Sequence, residues 1–164
     1  MDLLEAKSRI AEALVESIFR RALYVIAPHR REGAGSALRV GRDDLSPDFR
    51  VRMDDADGTR EFPVHVRYHP QIDQFLAMET QRGERSVLRL ALRHWPDLHF
   101  VMVSERPEGG RSCFQAVRLP AYHAGGGPYR SQDLAAVENL AIFAHNVADH
   151  EELLRRIFAH LSGT

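Results

Sequence analysis

Apolar residues recur at helical spacing along the first segment of the chain. On a helix drawn at about 100° per residue they fall on one broad arc, and charged residues take the rest of the circumference. This pattern predicts an amphipathic helix from Leu3 to Arg21. The apolar positions are Leu3, Leu4, Ile10, Leu14, Val15, Ile18, Phe19 and Ala22.

Two later segments alternate strictly between apolar and polar residues. The first covers residues 48–53 and the second covers 62–69, with turn-forming residues at 54–58 between them. Alternation with a period of two is typical of strands with one buried and one polar face, so the segments predict a β-hairpin. The polar face would carry Asp48, Arg50, Arg52, Pro63, His65, Arg67 and His69.

Shorter apolar runs complete the predicted sheet. Residues 24–27 and 37–40 have strand character, and the runs at 98–103 and 113–119 are typical of buried strands. Residues 71–95 have a helical pattern that breaks at Gly83, and the chain is then expected to close with two further helices.

The two closing helices are predicted from different signals. One covers residues 131–145, and the other begins at Asp149, which has capping-box spacing to Glu152. Helices alternating with strands in this way predict the α/β class.

Composition restricts the setting more than the function. The 164 residues are 44% hydrophobic and 27% charged, which is ordinary for a globular protein of one domain. No apolar run approaches the roughly 18 residues that a membrane span needs, so we expect a soluble protein with no membrane partner. An acidic start and a single cysteine, Cys113, favour a reducing, cytoplasmic setting.

Local charge matters because the formal net charge is only −1 at pH 7. Attraction for nucleic acid must then come from arginine clusters and not from the molecule as a whole. Arg50, Arg52, Arg60 and Arg67 would form such a cluster if they share the open face of the hairpin, and we expect them to contact phosphates.

Two short segments carry a resemblance to a known family. Ser46-Pro47-Asp48-Phe49 and Phe62-Pro63-Val64-His65-Val66-Arg67-Tyr68 resemble the signature of the PD-(D/E)xK nuclease superfamily. The predicted order of elements is also similar to the αβββαβ core of its restriction-endonuclease-like fold. The resemblance implies a central mixed sheet flanked by helices, with C-terminal helices added. Within one domain, 1–164, it divides the chain into a core (1–119), a linker (120–130) and a helical extension (131–164).

The resemblance assigns a role to each matching position. In the superfamily an aspartate and a glutamate bind a divalent metal ion, a lysine positions water, and a glutamate of the first helix adds a ligand. Asp48 stands at the aspartate position, His65 at the second acid and Arg67 at the lysine. Helical geometry leaves both Glu12 and Glu16 able to reach the sheet, and the resemblance favours Glu16.

The implied catalytic set is Asp48, His65, Arg67 and Glu16, and the implied ligands are Asp48, His65 and Glu16, for Mg²⁺ or Mn²⁺. A histidine adds no negative charge and prefers softer ions, so magnesium affinity should fall. An arginine holds a phosphate well but is a poor proton shuttle. Lys7, the only lysine, is expected on the side of the helix opposite Glu16 and at its far end, so we do not expect it to stand in for the missing lysine of the signature.

These considerations predict a nuclease-like domain, linked to nucleic acid, in which metal-dependent phosphodiester hydrolysis is weakened or lost. The alternative is an inactive pseudo-nuclease that serves as a binding or assembly module, for example a homodimer through the closing helices. A third interpretation is an unrelated α/β protein with a chance match.

Several candidate residues also have plain structural interpretations. His65, Arg67 and His69 are typical of a solvated strand face or a partner-binding patch. Cys113 is expected to pack as a small buried hydrophobe. His145, His150 and His160 lack a metal-binding spacing and are expected at the surface.

Overall fold

The structure is a computed structural model that describes residues 2–29, 39–40, 43–119 and 127–163. In this part of the chain four α-helices and a mixed, open six-stranded sheet make an α/β protein, as predicted. None of the helices described is both long and apolar enough to cross a bilayer. Most of the predicted linker, residues 120–126, lies outside the described residues.

Helix α1 covers Leu3–Arg21, which confirms the predicted span. Asp2 caps it: the side chain accepts a hydrogen bond from the N–H of Glu5 at 2.7 Å. Such a cap satisfies one of the N–H groups that a helix leaves unpaired in its first turn. The apolar arc is buried through Ala11, Leu14, Val15, Ile18 and Phe19, whereas Leu3 and Leu4 stay exposed.

Strands β1 (Val25–Pro28), β4 (Phe49–Asp55) and β5 (Gly58–Tyr68) form the antiparallel part of the sheet. The β4–β5 pair confirms the predicted hairpin. Its turn needs Gly58, because the φ angle there is 123°, a value that residues with a side chain rarely adopt. β2 (Arg39–Val40) and β3 (Asp43–Asp44) make a separate two-stranded ladder.

Strand β6 (His99–Val103) lies beside β5 and runs parallel to it. A parallel neighbour requires a crossover, which consists of α2 (Ile72–Arg82), one turn of 3₁₀ helix from Gly83, and α3 (Val87–His94). The break predicted at Gly83 is therefore confirmed. Strand β7 (Phe114–Arg118) pairs antiparallel with β6, and the sheet order is β1-β4-β5-β6-β7-β8.

The helix predicted over residues 131–145 is wrong. Residues Arg130–Asp133 form the edge strand β8, which pairs antiparallel with β7, and one 3₁₀ turn follows at Leu134–Ala136. The backbone is then irregular, with left-handed φ angles at Asn139 and Ala141. Only one closing helix follows in the described residues, α4 (Ala144–Leu161).

The helix start predicted at Asp149 is also wrong, because Asp149 lies inside α4. Its carboxylate forms an ion pair with Arg21 of α1 at 2.6 Å instead of capping a helix. His150, expected at the surface, is buried between α1 and α4: its Nδ1 lies 2.7 Å from the Asn146 carbonyl oxygen and its Nε2 lies 2.9 Å from the Ser17 hydroxyl. The other two histidines of this helix are exposed as expected.

The sheet has a hydrophobic cluster on each face. α1 and α4 cover one face, where Phe19 packs edge-on against Tyr24, Phe49 and Phe62. α2 and α3 cover the other face; the residues buried there include Leu76, Leu88, Ala91, Phe100 and Met102. Because both faces are covered, the polar face predicted for the hairpin lies partly beneath α2 and α3.

Candidate functional site

Asp48 lies immediately before β4, where the chain enters the sheet. Its backbone N–H donates to the Val64 carbonyl oxygen at 2.8 Å, and its Oδ2 accepts a hydrogen bond from the Val66 N–H at 2.6 Å. Val66 is the residue between His65 and Arg67. Two hydrogen bonds to β5 therefore fix the carboxylate beside the positions that complete the resemblance.

His65 is buried, with only 8% of its surface exposed. Its Nδ1 lies 3.0 Å from the Ser46 carbonyl oxygen and 3.6 Å from Asp48 Oδ2. A carbonyl can only accept, so Nδ1 carries the proton and Nε2 is the basic nitrogen. Burial lowers the pKa of His65, with a smaller contribution from Arg67, and the ring is neutral near pH 7. The interpretation of His65 as a solvated side chain is wrong.

Arg67 points to the face of the sheet that α2 covers. Its guanidinium carbon lies 4.8 Å from the ring centroid of Phe75, the distance of a cation–π contact. His69 lies against the same ring, 5.3 Å between centroids. The positive group at the position that the resemblance compares with lysine is therefore packed against an aromatic ring of α2.

Of the two candidate acids of α1, it is Glu12 that interacts with Asp48 and His65. Burial raises the pKa of Glu12 most, the charges of Asp48 and Glu16 raise it further, and His65 lowers it. Glu16 forms an ion pair with Arg20, one turn along the same helix, at 2.6 Å. The structure thus brings Asp48 and His65 together and places Glu12 where its charge acts on both, while Glu16 is paired with Arg20.

The arginines predicted to contact phosphates do not form one open patch. Arg60 lies across from Met53, which packs against the α1 face, so Arg60 is on the opposite face from Arg67. Its guanidinium also contacts the Asn139 carbonyl oxygen. Three of the four arginines are paired with acids of the hairpin itself: Arg50–Glu61 at 3.1 Å, Arg52–Asp54 at 3.4 Å and Arg60–Asp55 at 2.8 Å.

The site residues do not form a metal site with three or more protein ligands. Across the ranges that the structure describes, no group of three or more His, Cys, Asp or Glu side chains is arranged to hold an ion. Asp48 and Glu12 are oxygen ligands of the kind that Mg²⁺ and Mn²⁺ take, and Mg²⁺ commonly binds through only one or two carboxylates. The two residues are therefore ligands of the right chemical type, and the predicted metal stays a prediction.

Comparison with other proteins adds no assignment. The chain matches no protein-family model, no curated protein and no solved structure.

Two contacts of the site escape sequence reasoning. The Ser46 carbonyl, which fixes the His65 tautomer, is a backbone group with no signal in residue type. Phe75 lies in a predicted helix, but nothing in the local pattern places it beneath Arg67. By contrast, the Glu16–Arg20 pair has the i, i+4 spacing that joins side chains on a helix, so this pair could have been found.

Proposed function

We propose that this chain is a nuclease-like domain of the PD-(D/E)xK type that acts on nucleic acid, with metal-dependent phosphodiester hydrolysis weakened or lost. The observation that carries the proposal is the hydrogen bond from the Val66 N–H to the Asp48 carboxylate. It joins the aspartate position of the signature to Val66, the residue between the positions compared with the second acid and the lysine. The β4–β5 hairpin therefore holds all three compared positions close to one another.

The connectivity of the elements supports the proposal. Helix α1 is followed by three antiparallel strands, β1, β4 and β5, then by the α2–α3 crossover and by β6 parallel to β5. Leaving out the small β2–β3 ladder, this is the αβββαβ order that the resemblance implies. Fold alone does not define function, so the proposal depends on the site residues.

The electrostatics of Glu12 and Asp48 favour a cation. Each negative charge disfavours the other, and burial adds to the cost for Glu12, as the raised pKa of Glu12 reflects. A divalent ion between the two carboxylates would relieve that repulsion, and it would supply the charge stabilisation that phosphodiester hydrolysis needs. His65 lies beside the same carboxylate, with its Nδ1 3.6 Å from Asp48 Oδ2, and it keeps an unprotonated Nε2 on the other side of the ring.

Two observations favour the alternative, an inactive pseudo-nuclease that serves as a binding or assembly module. His65 Nδ1 is engaged by the Ser46 carbonyl, and Arg67 is stacked over Phe75. Both residues therefore make contacts that stabilise the fold whether or not any chemistry takes place. A binding module needs only the surface and not the proton transfers.

Rebuilding the family's signature tests the proposal. The double variant His65→Glu with Arg67→Lys restores the second acid and the lysine, and it should gain Mg²⁺-dependent cleavage of DNA or RNA by about 100-fold or more over the wild type. Asp48→Ala in the rebuilt chain should abolish the gain. The matched control is His160→Glu with Arg156→Lys, the same changes of residue type at exposed positions of α4.

Thermal unfolding separates the outcomes. Mg²⁺ or Mn²⁺ should raise the Tm of the rebuilt chain, and Asp48→Ala should remove that rise. Binding of nucleic acid without cleavage by the rebuilt chain would favour the binding module. A rebuilt chain that folds but shows no metal-dependent rise in Tm, no cleavage and no nucleic-acid binding would contradict the proposal.

A further inference from the structure

Most arginines in the described part of the chain are paired with carboxylates. The ion pairs include the three of the β4–β5 hairpin and further pairs on α1, α3 and α4. Four described arginines, Arg85, Arg106, Arg118 and Arg130, have no carboxylate partner among the described residues. Two of these four lie directly opposite each other.

Arg118 and Arg130 are cross-strand partners at one end of the β7–β8 pair. Side chains directly opposite on antiparallel strands have Cβ atoms about 5 Å apart, and like charges in this position destabilise the pairing. Both side chains are exposed. Two arginine side chains thus start from directly opposite positions at the rim of the sheet, with no described acid to neutralise them.

One hydrogen-bond donor near the pair has no acceptor among the described residues. It is the buried Nε2 of Gln132, two residues beyond Arg130 on the same face of β8. A buried donor without an acceptor costs free energy that an incoming anion can recover.

The chemistry of the pair fits a phosphodiester better than a carboxylate-bearing peptide. A phosphodiester concentrates its charge on two non-bridging oxygens of one group, and guanidinium forks bind such oxygens in a bidentate manner. Two neighbouring guanidinium groups can grip one phosphate. The carboxylates of an acidic peptide stand on separate flexible side chains, and fixing them costs conformational entropy.

We propose that Arg118 and Arg130 clamp a backbone phosphate of the nucleic acid. This inference rests on the proposed function and relocates its phosphate contacts from the hairpin, where the arginines are paired, to the β7–β8 rim. Arg118 and Arg130 lie on the same face of the sheet as Ala116, the face that α1 and α4 cover, whereas His65 lies on the opposite face. A nucleic acid would therefore have to pass around the β8 edge to reach both.

Fluorescence anisotropy with labelled single-stranded DNA, duplex DNA and single-stranded RNA, titrated with salt, tests the clamp. Replacing both arginines by alanine should lower the slope of log affinity against log salt by about 0.9 on duplex DNA, the value for one phosphate, which corresponds to about 8-fold weaker binding at about 0.1 M salt. Arg118→Glu should weaken binding at least as much. Arg156→Glu, the same charge change on α4, should have little effect on binding.

Arg118→Glu also controls for misfolding. It replaces a like-charged cross-strand pair by an opposite-charged one, so the Tm should stay the same or rise while binding is lost. Loss of binding together with a lower Tm would attribute the effect to folding and count against the clamp.

The remaining outcomes separate the clamp from the function on which it rests. Wild-type binding that survives in the double alanine variant with an unchanged salt slope would overturn the clamp and leave the proposed function standing. No binding of any of the three probes by the wild type would overturn both. An acidic peptide that binds through the two arginines, in the absence of nucleic-acid binding, would replace the clamp with a peptide site.

Discussion

Acid should destabilise this protein partly through His65, and His65→Gln should remove that part of the pH dependence. The ring is buried, and burial lowers its pKa because the charged form loses its hydration; the charge of Arg67 acts in the same direction. Asp44 and Glu12 act in the opposite direction, but burial is the largest effect. In the unfolded chain the ring takes up its proton near pH 6.5, at about the ordinary histidine pKa.

The sign and size follow from proton linkage. Below about pH 6.5 the unfolded state binds a proton that the folded state does not, so stability is complete above that pH and falls as the pH drops toward the folded-state pKa. One proton changes the free energy of unfolding by at most about 1.4 kcal/mol per pH unit, which gives a ceiling of about 2 kcal/mol at about pH 5. A domain whose total stability is about 5–15 kcal/mol would show this loss clearly.

Urea unfolding at a series of pH values provides the measurement. Near neutral pH the glutamine variant should be less stable by about 1 kcal/mol, since the hydrogen bond to the Ser46 carbonyl is altered. Toward pH 5 the two curves should converge, because only the wild type loses the His65 contribution. The matched control is His160→Gln, at an exposed position of α4. Wild-type and His65→Gln curves that stay parallel over the whole range would refute the reasoning.

Other predictions follow from the packing and the charges. Glu12→Gln should raise the Tm near neutral pH, because the raised pKa of Glu12 means that its ionised form opposes folding. A Tm rise as large in Glu16→Gln would show that the effect is not specific to Glu12. Phe19→Ala should cost about 3–5 kcal/mol in urea unfolding, since the ring is fully buried against three other aromatic rings, and a cost below about 1 kcal/mol would contradict the packing described. Cys113 should react with a thiol reagent only as fast as the protein opens, because the side chain is buried and burial raises its thiol pKa to about 12; rapid reaction in the native state would refute this.

Hydrophobic periodicity was sufficient to predict the elements that bury one face along their whole length. The helix over Leu3–Arg21 and the β4–β5 hairpin each bury one face, so their hydrophobic pattern repeats with a single period. The burial of Cys113 is also confirmed; it was predicted because nothing near it in the sequence marks an activated thiolate. Sequence reasoning succeeded where one residue's surroundings depend on its near neighbours along the chain.

Strand β8 shows why the C-terminal part was misread. Its four residues are Arg130, Ser131, Gln132 and Asp133, none of them apolar, so no alternation marks a strand. Its conformation is set by pairing with β7 and by the Arg111 side chain, which donates to the carbonyl and the hydroxyl of Ser131 at 2.8 Å. Such contacts between distant parts of the chain leave no local signal.

The same limit applies to the hairpin's polar face. The alternation of apolar and polar residues predicted which side chains lie on the same face, and His65 and Arg67 do share a face. The alternation does not indicate what covers that face, and in the structure α2 packs over it. A histidine in a strand therefore changed from an expected surface residue to a buried, neutral ring, which is the state that permits both metal binding and the pH dependence predicted above.

The choice between Glu12 and Glu16 depended on which acid lies near Asp48 and on which partner each acid has within α1. The sequence supplies only the second. Four residues along a helix advance the chain by about 6 Å and rotate it by only about 40°, so both acids face the sheet in nearly the same direction. Which one lies near Asp48 depends on how far α1 slides along the sheet, and tertiary packing decides that. The sequence does supply the competing partners: Glu16 has Arg20 one turn ahead, whereas Glu12 has Glu16. An acid with a basic residue four positions on is paired within its own helix. Glu12 lacks that partner, and after burial the charge of Asp48 contributes most to its raised pKa.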